Sequence, residues 1–250
     1  MQDNYVGDIG DYGKYGLMRT ITASGLSLAV NWYQVRPLES KTETANNRRI
    51  QQDGKYTSYL SSPEQYRHYD PELFDCLFEL VKKNRTIEAV EKSGVVTADF
   101  FGEILTGKDR NVWHERGLEK TSGAQVVFLD PDNGLETERM HQRGTASEKH
   151  VAWQELKDYY ERGQSVILYQ HRPQRTKKES CIQSVLAFQT SFLQADCVWI
   201  LDYPRYTNRY YFLFVRNAHR NVLEKVYHSV VQNWAGVCYP IDFCRPAGDR

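Results

Sequence analysis

The stretch from Ala124 to Glu136, AQVVFLDPDNGLE, decides the fold. Its apolar residues 126–129 predict a buried strand, and the polar turn DPDNG at 130–134 follows directly. In open α/β sheets, ligands bind outside the carboxyl ends of the strands. The turn is therefore either a simple strand ending or a functional site. In the second interpretation Asp130, Asp132 and Asn133 are the candidate catalytic residues.

The rest of the chain alternates between strand and helix patterns. Strands are predicted at 27–35, 124–130, 165–171, 197–206 and 209–217, with helices at 11–25, 70–84, 149–161 and 180–194 and from Asn221 onward. This alternation predicts one α/β domain over residues 1–250, with a mostly parallel central sheet and helices on both faces. The last two strands predict an antiparallel hairpin at the sheet edge. Residues 1–26 read as an N-terminal helical extension, and 36–54 as a long polar loop.

Composition restricts the classes of function. Lys plus Arg equals Asp plus Glu at 32 each, so the chain is not a globally basic nucleic-acid binder. The five cysteines form no CxxC pair, which argues against a zinc cluster or a disulfide framework. The N-terminal segment lacks the features of a signal peptide, and no apolar run approaches the roughly 18 residues of a membrane span. We expect a cytoplasmic protein without membrane contact; its oligomeric state stays open.

Further candidates follow the predicted strand 165–171. His171 lies at its carboxyl end, on the same rim as the DPDNG turn, and is a candidate for proton transfer. Gln170, Arg172 and Arg175 are candidate substrate-binding residues, and the basic loop from Arg172 to Lys178 suits nucleic-acid phosphates. Such a loop is equally often a solvated surface.

Two more predictions concern charged residues near helix starts. Lys149, in SEKH at the start of a predicted helix, is a candidate anion-binding residue, with Ser147 as the helix N-cap. In GDIGDYGKYG, residues 7–16, Asp11 and Lys14 lie among glycines at every third position. That spacing is not a nucleotide-binding fingerprint, and the two residues belong either to a site or to a turn and helix cap.

The order of elements from the DPDNG strand onward resembles the second half of an S-adenosylmethionine-dependent methyltransferase. Amino-methylating members of that class carry an Asp/Asn/Ser-Pro-Pro-aromatic motif at this turn, and Asp130 and Pro131 match its first two places. The resemblance implies that Asp130 accepts hydrogen bonds from a target amino group, which is catalysis by positioning. S-adenosylmethionine is then the cofactor, and an amino group of a nucleic-acid base is the acceptor.

A second resemblance concerns the N-terminal region. GDYGKYGLMR, residues 10–19, is similar to the opening helix of the bacterial family that methylates adenine N6 in large-subunit ribosomal RNA, with Lys14 in the place of that family's lysine. It implies cofactor contacts from Asp11, Lys14 and Asp99, the last as an acidic residue after a strand. GDIGDYGKYGL and VFLDPDNGLE also look like an uncharacterised bacterial family, which implies no function.

Departures from the methyltransferase pattern leave two alternatives open. RPLESKTE follows the first strand where a Gly-rich cofactor turn is expected. One alternative is a metal-dependent nuclease or phosphohydrolase that holds Mg²⁺ or Mn²⁺ with Asp130, Asp132 and His171. The other is a non-catalytic module that binds nucleic acid or protein on a methyltransferase-like fold.

Overall fold

A computed structural model describes residues 1–35, 56–107 and 109–241. The predicted loop at 36–54 and Cys244 lie outside these residues. Nine strands are described: β1 (Leu28–Asn31), β2 (Asp99–Phe101), β3 (Val126–Leu129), β4 (Gly134–Leu135), β5 (His150–Val151), β6 (Ser165–His171), β7 (Cys197–Tyr203), β8 (Arg209–Val215) and β9 (Tyr239–Ile241). The described helices are α1 (Ile9–Ala23), α2 (Pro63–Tyr66), α3 (Pro71–Lys83), α4 (Ile87–Ser93), α5 (Arg110–Lys120), α6 (Glu138–Arg143), α7 (Trp153–Glu161), α8 (Lys178–Phe188) and α9 (Arg220–Asn233).

Seven strands form one sheet in the order β2-β1-β3-β6-β8-β7-β9, and β4 pairs with β5 in a separate small sheet. The pairings among β2, β1, β3 and β6 are parallel. Strand β8 lies between β6 and β7, antiparallel to both, and β9 is antiparallel to β7. Five of the seven strands therefore run in one direction, which confirms the α/β class with a mostly parallel sheet.

Side chains alternate between the two faces of the sheet, so each face has its own core. In β3, Val126 and Phe128 belong to one core, and Val127 and Leu129 belong to the other. Helices α1, α3, α4 and α9 cover the first face, while α5, α7 and α8 cover the second. The prediction of helices on both faces is thus confirmed. Strand β3 is buried on both faces, and its sequence is therefore continuously apolar, as is usual for strands of parallel sheets.

Helix α1 is part of the core, whereas the sequence predicted an N-terminal extension. Asp8 caps it by accepting from the N–H groups of Gly10 and Asp11 at 2.7 and 2.9 Å. Gly13 and Gly16 give the rings of Tyr203 and Trp234 room, because a Cβ at either glycine would lie within 2.5 Å of a ring atom. Close packing therefore explains the glycine spacing.

Three predictions about the start of a helix, its N-cap and the edge of the sheet need correction. Helix α7 begins at Trp153, not at 149, because His150 and Val151 pair with Gly134 and Leu135 in the small sheet. Ser147 is therefore not its N-cap. The hairpin of β7 and β8 is antiparallel as predicted, but it is not the sheet edge, since β8 pairs with β6 and β9 covers β7.

Candidate functional site

A pocket of about 380 Å³ lies where β3 and β6 end and where α1 and β8 begin. Of the residues predicted to be functional, seven line it: Asp11, Lys14, Asp130, Asp132, Asn133, Lys149 and His171. The topology explains this convergence. The chain passes from β1 outward to β2 and then returns to β3 on the other side of β1, which makes a crevice at the carboxyl ends of β1 and β3.

Lys14 connects the helix and the strand end that form the pocket. Its ammonium group lies 2.7 Å from Asp11 Oδ1 and 2.8 Å from Asp130 Oδ2, and the three side chains are all buried. The Tyr15 and Trp32 rings lie 5.0 and 5.4 Å from the same nitrogen. Two carboxylates and one cation leave an excess negative charge in a site largely shielded from water.

Burial raises the pKa of Asp11 to about 6, an effect that Lys14 reduces and that the neighbouring carboxylates of Asp8 and Asp130 reinforce. Burial alone would lower the pKa of Lys14, but Asp11 and Asp130 outweigh it and the lysine pKa is raised. Lys14 is therefore a permanent cation, and Asp11 is the group of this cluster that changes charge near neutral pH.

Asp132 lies on the other side of the turn and contacts the amino group of Met1. That nitrogen lies 3.1 Å from Asp132 Oδ1, and the two form an ion pair whose angles are not those of a hydrogen bond. Gln2 Nε2 donates to the other oxygen, Asp132 Oδ2, at 2.7 Å. Lys149 Nζ lies 3.6 Å from the same Oδ2. Burial opposes the charge of Asp132, but the amino group and the Gln2 amide outweigh it, so the Asp132 pKa is lowered.

The amino group of Met1 also donates to three backbone carbonyls, those of Trp32 at 2.9 Å, Tyr33 at 3.1 Å and Asp130 at 3.2 Å. These carbonyls come from the ends of β1 and β3, on the two sides of the crevice. Together with the Asp132 carboxylate they form a set of acceptors whose chemistry suits an ammonium group.

Within the described residues, the turn leaves several acceptors free. Lys14 occupies Asp130 Oδ2, but Oδ1 has no partner, and neither the Pro131 carbonyl nor the Asn133 side-chain amide forms a hydrogen bond. The free atoms at this strand end are thus a carboxylate oxygen, a carbonyl and an amide. They can receive a group that carries two N–H donors.

Gln170 supports the turn from behind. Its Oε1 accepts from Leu135 N–H at 2.9 Å, and its Nε2 donates to the carbonyls of Asn133 and His171 at 3.1 and 2.9 Å. Gly134 has φ +116°, and a Cβ there would lie 2.2 Å from the Gln170 amide oxygen. The amide is fully used by the backbone, so Gln170 positions the turn.

His171 lies on the pocket rim with no hydrogen bond from its ring among the described residues. Its backbone N–H donates to the Asn133 carbonyl at 3.1 Å, which fixes the end of β6 to the turn. Burial lowers the His171 pKa, and the charges of Arg209 and Arg172 lower it further. The ring is therefore neutral at pH 7 and able to accept a proton.

Besides Gln170, which lies behind the turn, three predicted site residues do not line the pocket. Asp99 is the exposed first residue of β2, opposite Ala29, so it precedes a strand instead of following one, and the expected adenine contact at a strand end does not hold. Arg172 and Arg175 lie beyond the end of β6, Arg175 being exposed with φ +67°. Where this loop meets α8, the ammonium group of Lys178 forms an ion pair with Asp202 Oδ2 at 2.5 Å.

Sequence reasoning missed Arg209 as a pocket residue. It is the first residue of β8, it is buried, and it lines the pocket beside Gly10 of α1. The sequence carried one signal, Gly10 in the glycine-rich segment, since a Cβ there would lie 1.9 Å from Arg209 Nη1. Nothing local in RYYFLFV distinguishes the arginine from the basic residues common at strand ends.

The residues proposed as metal ligands do not fit a metal site. In the described ranges, no group of three or more His, Cys, Asp or Glu side chains is arranged to hold a metal ion. Lys14 lies between Asp11 and Asp130, and the amino group of Met1 lies against Asp132. Cations of the chain itself thus stand where Mg²⁺ or Mn²⁺ would need open carboxylate oxygens.

Across 1–35, 56–107 and 109–241, every helix is too short or too polar to span a bilayer. Of the cysteines in these ranges, Cys76, Cys181 and Cys238 are free thiols. In comparisons with known proteins, no protein-family model matches the chain, and a search of the curated proteins finds no significant match.

Proposed function

We propose that this protein is an S-adenosylmethionine-dependent methyltransferase, or a diverged relative, that acts on an amino group of a nucleic-acid base. The observation that carries the proposal is Asp130 at the end of β3. Lys14 holds one of its carboxylate oxygens at 2.8 Å, while the other has no partner in the described part of the chain. A fixed carboxylate with one free oxygen at a strand end suits an amine acceptor.

The chemistry assigned to these residues is positioning. The two N–H bonds of the target amine donate to Asp130 Oδ1 and to the Pro131 carbonyl, which directs the nitrogen lone pair away from both acceptors. Lys14 fixes the orientation of the Asp130 carboxylate and offsets its charge. Neutral His171 is the group available on the rim to accept the proton that the amine loses.

The strand order supports the proposal. Strand β8 inserts antiparallel between β6 and β7, and the crevice lies between β1 and β3. The resemblance to methyltransferases rests on the order strand, helix, strand, helix and two-stranded hairpin, and β3, α7, β6, α8, β7 and β8 follow one another in that order. The basic loop after β6 begins beside the pocket, and we propose that Arg172 and Arg175 contact the nucleic-acid backbone there.

The described residues fit the proposed cofactor only in part. The carbonyls of Trp32, Tyr33 and Asp130 suit its amino-acid end, but the amino group of Met1 occupies them. Asp99, expected at its adenine, lies away from the pocket. S-adenosylmethionine would have to displace Met1 from these carbonyls.

Transfer of tritiated methyl groups from S-adenosylmethionine to RNA, DNA and nucleotides tests the proposal. We expect Asp130→Ala to lose at least a hundredfold in rate with nearly unchanged cofactor binding, and the exposed Asp75→Asn to match the wild type. Equal activity in Asp130→Ala would contradict the role of Asp130. Absence of transfer by the wild type to all three acceptor classes would contradict the function.

A non-catalytic binding module is the second candidate. The observation that favours it is that the chain's own amino group fills the acceptors between β1 and β3. It predicts nucleic-acid binding without turnover, with an affinity that falls steeply as salt increases. No comparable observation favours the metal-dependent nuclease.

A further inference from the structure

Arg209 is a buried cation without a carboxylate partner. It is 4% exposed, and in the described part of the chain no Asp or Glu oxygen lies within the 4.0 Å of an ion pair. Its Nη2 donates to Thr207 Oγ1, whereas Nη1 is buried and has no hydrogen-bond partner among the described residues. Buried charges in proteins are normally paired, so this guanidinium needs an explanation.

The surroundings of Arg209 keep it in the pocket wall. The guanidinium lies against Gly10 in the first turn of α1, where a Cβ would be 1.9 Å from Nη1 and 2.2 Å from Cζ. The positive end of the α1 dipole therefore faces the same region, although Asp8 caps that end. His171 and Gln174 line the adjacent wall.

The carboxylates of the pocket are compensated elsewhere. Asp11 and Asp130 share Lys14, and Asp132 lies against the Met1 amino group. Asp8 accepts two backbone N–H bonds. These contacts leave the guanidinium without an ion pair in the described part of the chain, and the carboxylate of Asp8 acts on it only through space, raising the Arg209 pKa together with the nearby tyrosines.

We propose that Arg209 binds the phosphate group of a nucleotide whose base amine lies at Asp130. A guanidinium binds phosphate oxygens through two parallel N–H bonds, and the Thr207 hydroxyl and the His171 imidazole beside it add further donors. A volume of about 380 Å³ is that of a small-molecule site, so it holds one nucleotide. The base position rests on the proposed function; the phosphate site does not.

Calorimetric titration of the full chain tests the phosphate site, with AMP, UMP and adenosine as probes. We expect AMP to bind at least tenfold more tightly than adenosine. UMP has a phosphate but no exocyclic amine. Its affinity should therefore still depend on Arg209, but it should not gain from the contact with Asp130. A 5′-phosphorylated oligonucleotide, compared with its unphosphorylated form, distinguishes a strand end from a free nucleotide as the source of the phosphate.

Two variants and one control complete the test. Arg209→Met should weaken AMP at least thirtyfold and leave adenosine unchanged. Gly10→Ala keeps the charge but displaces the guanidinium, so it should weaken AMP as well even if Arg209→Met fails to fold. Arg205→Met removes a half-buried arginine that donates to the Gly236 carbonyl and should bind AMP as the wild type does.

AMP binding no tighter than adenosine binding, or wild-type AMP affinity in a folded Gly10→Ala variant, would overturn the phosphate site. Failure of the proposed function has a different signature. In that case no methyl transfer is found, while AMP binding still depends on Arg209 and Gly10.

Discussion

Lys14 and Asp130 meet at 2.8 Å although 116 residues separate them in the chain. Their contact joins the middle of α1 to the carboxyl end of β3 and places Asp11 in the same buried cluster. One long-range ion pair therefore fixes the geometry of the turn in which the proposed amine acceptor lies. The N-terminal segment and the DPDNG turn form one site.

Removing the Lys14 charge should destabilise the fold strongly. Lys14→Met leaves Asp11 and Asp130 buried without a cation, which costs about 3–5 kcal/mol of unfolding free energy. The double variant Lys14→Met with Asp11→Asn should recover part of this, because it removes one of the two unpaired charges. Urea unfolding measures both, with Lys92→Met in an exposed pair as the control. A loss in Lys14→Met no larger than in that control would contradict the role of the cluster.

The pH dependence of stability should carry the signature of Asp11. Burial raises its pKa from 3.8 to about 6, so the folded state holds the proton more tightly than the unfolded state. The resulting stability is fully present below about pH 4 and is lost as the pH rises through about 6. Two pKa units correspond to at most about 3 kcal/mol.

The difference in unfolding free energy between the wild type and Asp11→Asn isolates this contribution. It should fall as the pH rises from about 4 to 6 and be flat above about 7. A difference that is constant over the whole range would show that the Asp11 carboxyl titrates at its ordinary pKa.

The glycines of α1 should resist replacement by alanine. A Cβ at Gly13 would lie 2.4 Å from the Tyr203 ring, and one at Gly16 would lie 2.1 Å from the Trp234 ring. Each alanine should therefore cost about 1–3 kcal/mol, against the gain of about 1 kcal/mol expected in an exposed helix. Thermal unfolding measures this, with Gly123→Ala, which meets no atom within 4 Å, as the control. A higher unfolding temperature in Gly13→Ala or Gly16→Ala would contradict the close packing of α1 against the rings of Tyr203 and Trp234.

Gln170 should support the turn without taking part in binding. Gln170→Leu leaves the Leu135 N–H without its acceptor and removes one of the two donors to the Asn133 carbonyl, which costs about 1–3 kcal/mol. Hydrogen exchange at the Leu135 amide should accelerate, while Gln154→Leu on the exposed side of α7 should leave it unchanged. An unchanged rate of hydrogen exchange at the Leu135 amide in Gln170→Leu would contradict the claim that Gln170 supports the turn.

Local signals in the sequence were sufficient for much of the fold. Strand β6 was predicted at 165–171, where it is found, and α3 lies within the helix predicted at 70–84, where Asp70 caps its first turn and Pro71 is its first residue. These features depend on neighbouring residues. The gathering of Asp130, Asp132 and His171 at one rim followed from a general property of parallel sheets.

Features that depend on distant partners could not be predicted in the same way. Residues 150 and 151 pair with β4, a contact that delays the start of α7. Asp99 was expected after a strand because the short β2 is hardly distinguishable by pattern from the residues before it. The place of Arg209 in the pocket wall depends on its contact with Gly10, which lies near the other end of the chain.

Calorimetric titration of the full chain with S-adenosylmethionine and S-adenosylhomocysteine tests the central claim most directly. We predict micromolar binding that weakens at least tenfold in Asp132→Asn, because this carboxylate lies at the ammonium-binding carbonyls, and that is unchanged in Asp99→Asn, which lies away from the pocket. No binding of either compound at millimolar concentration would contradict the methyltransferase proposal.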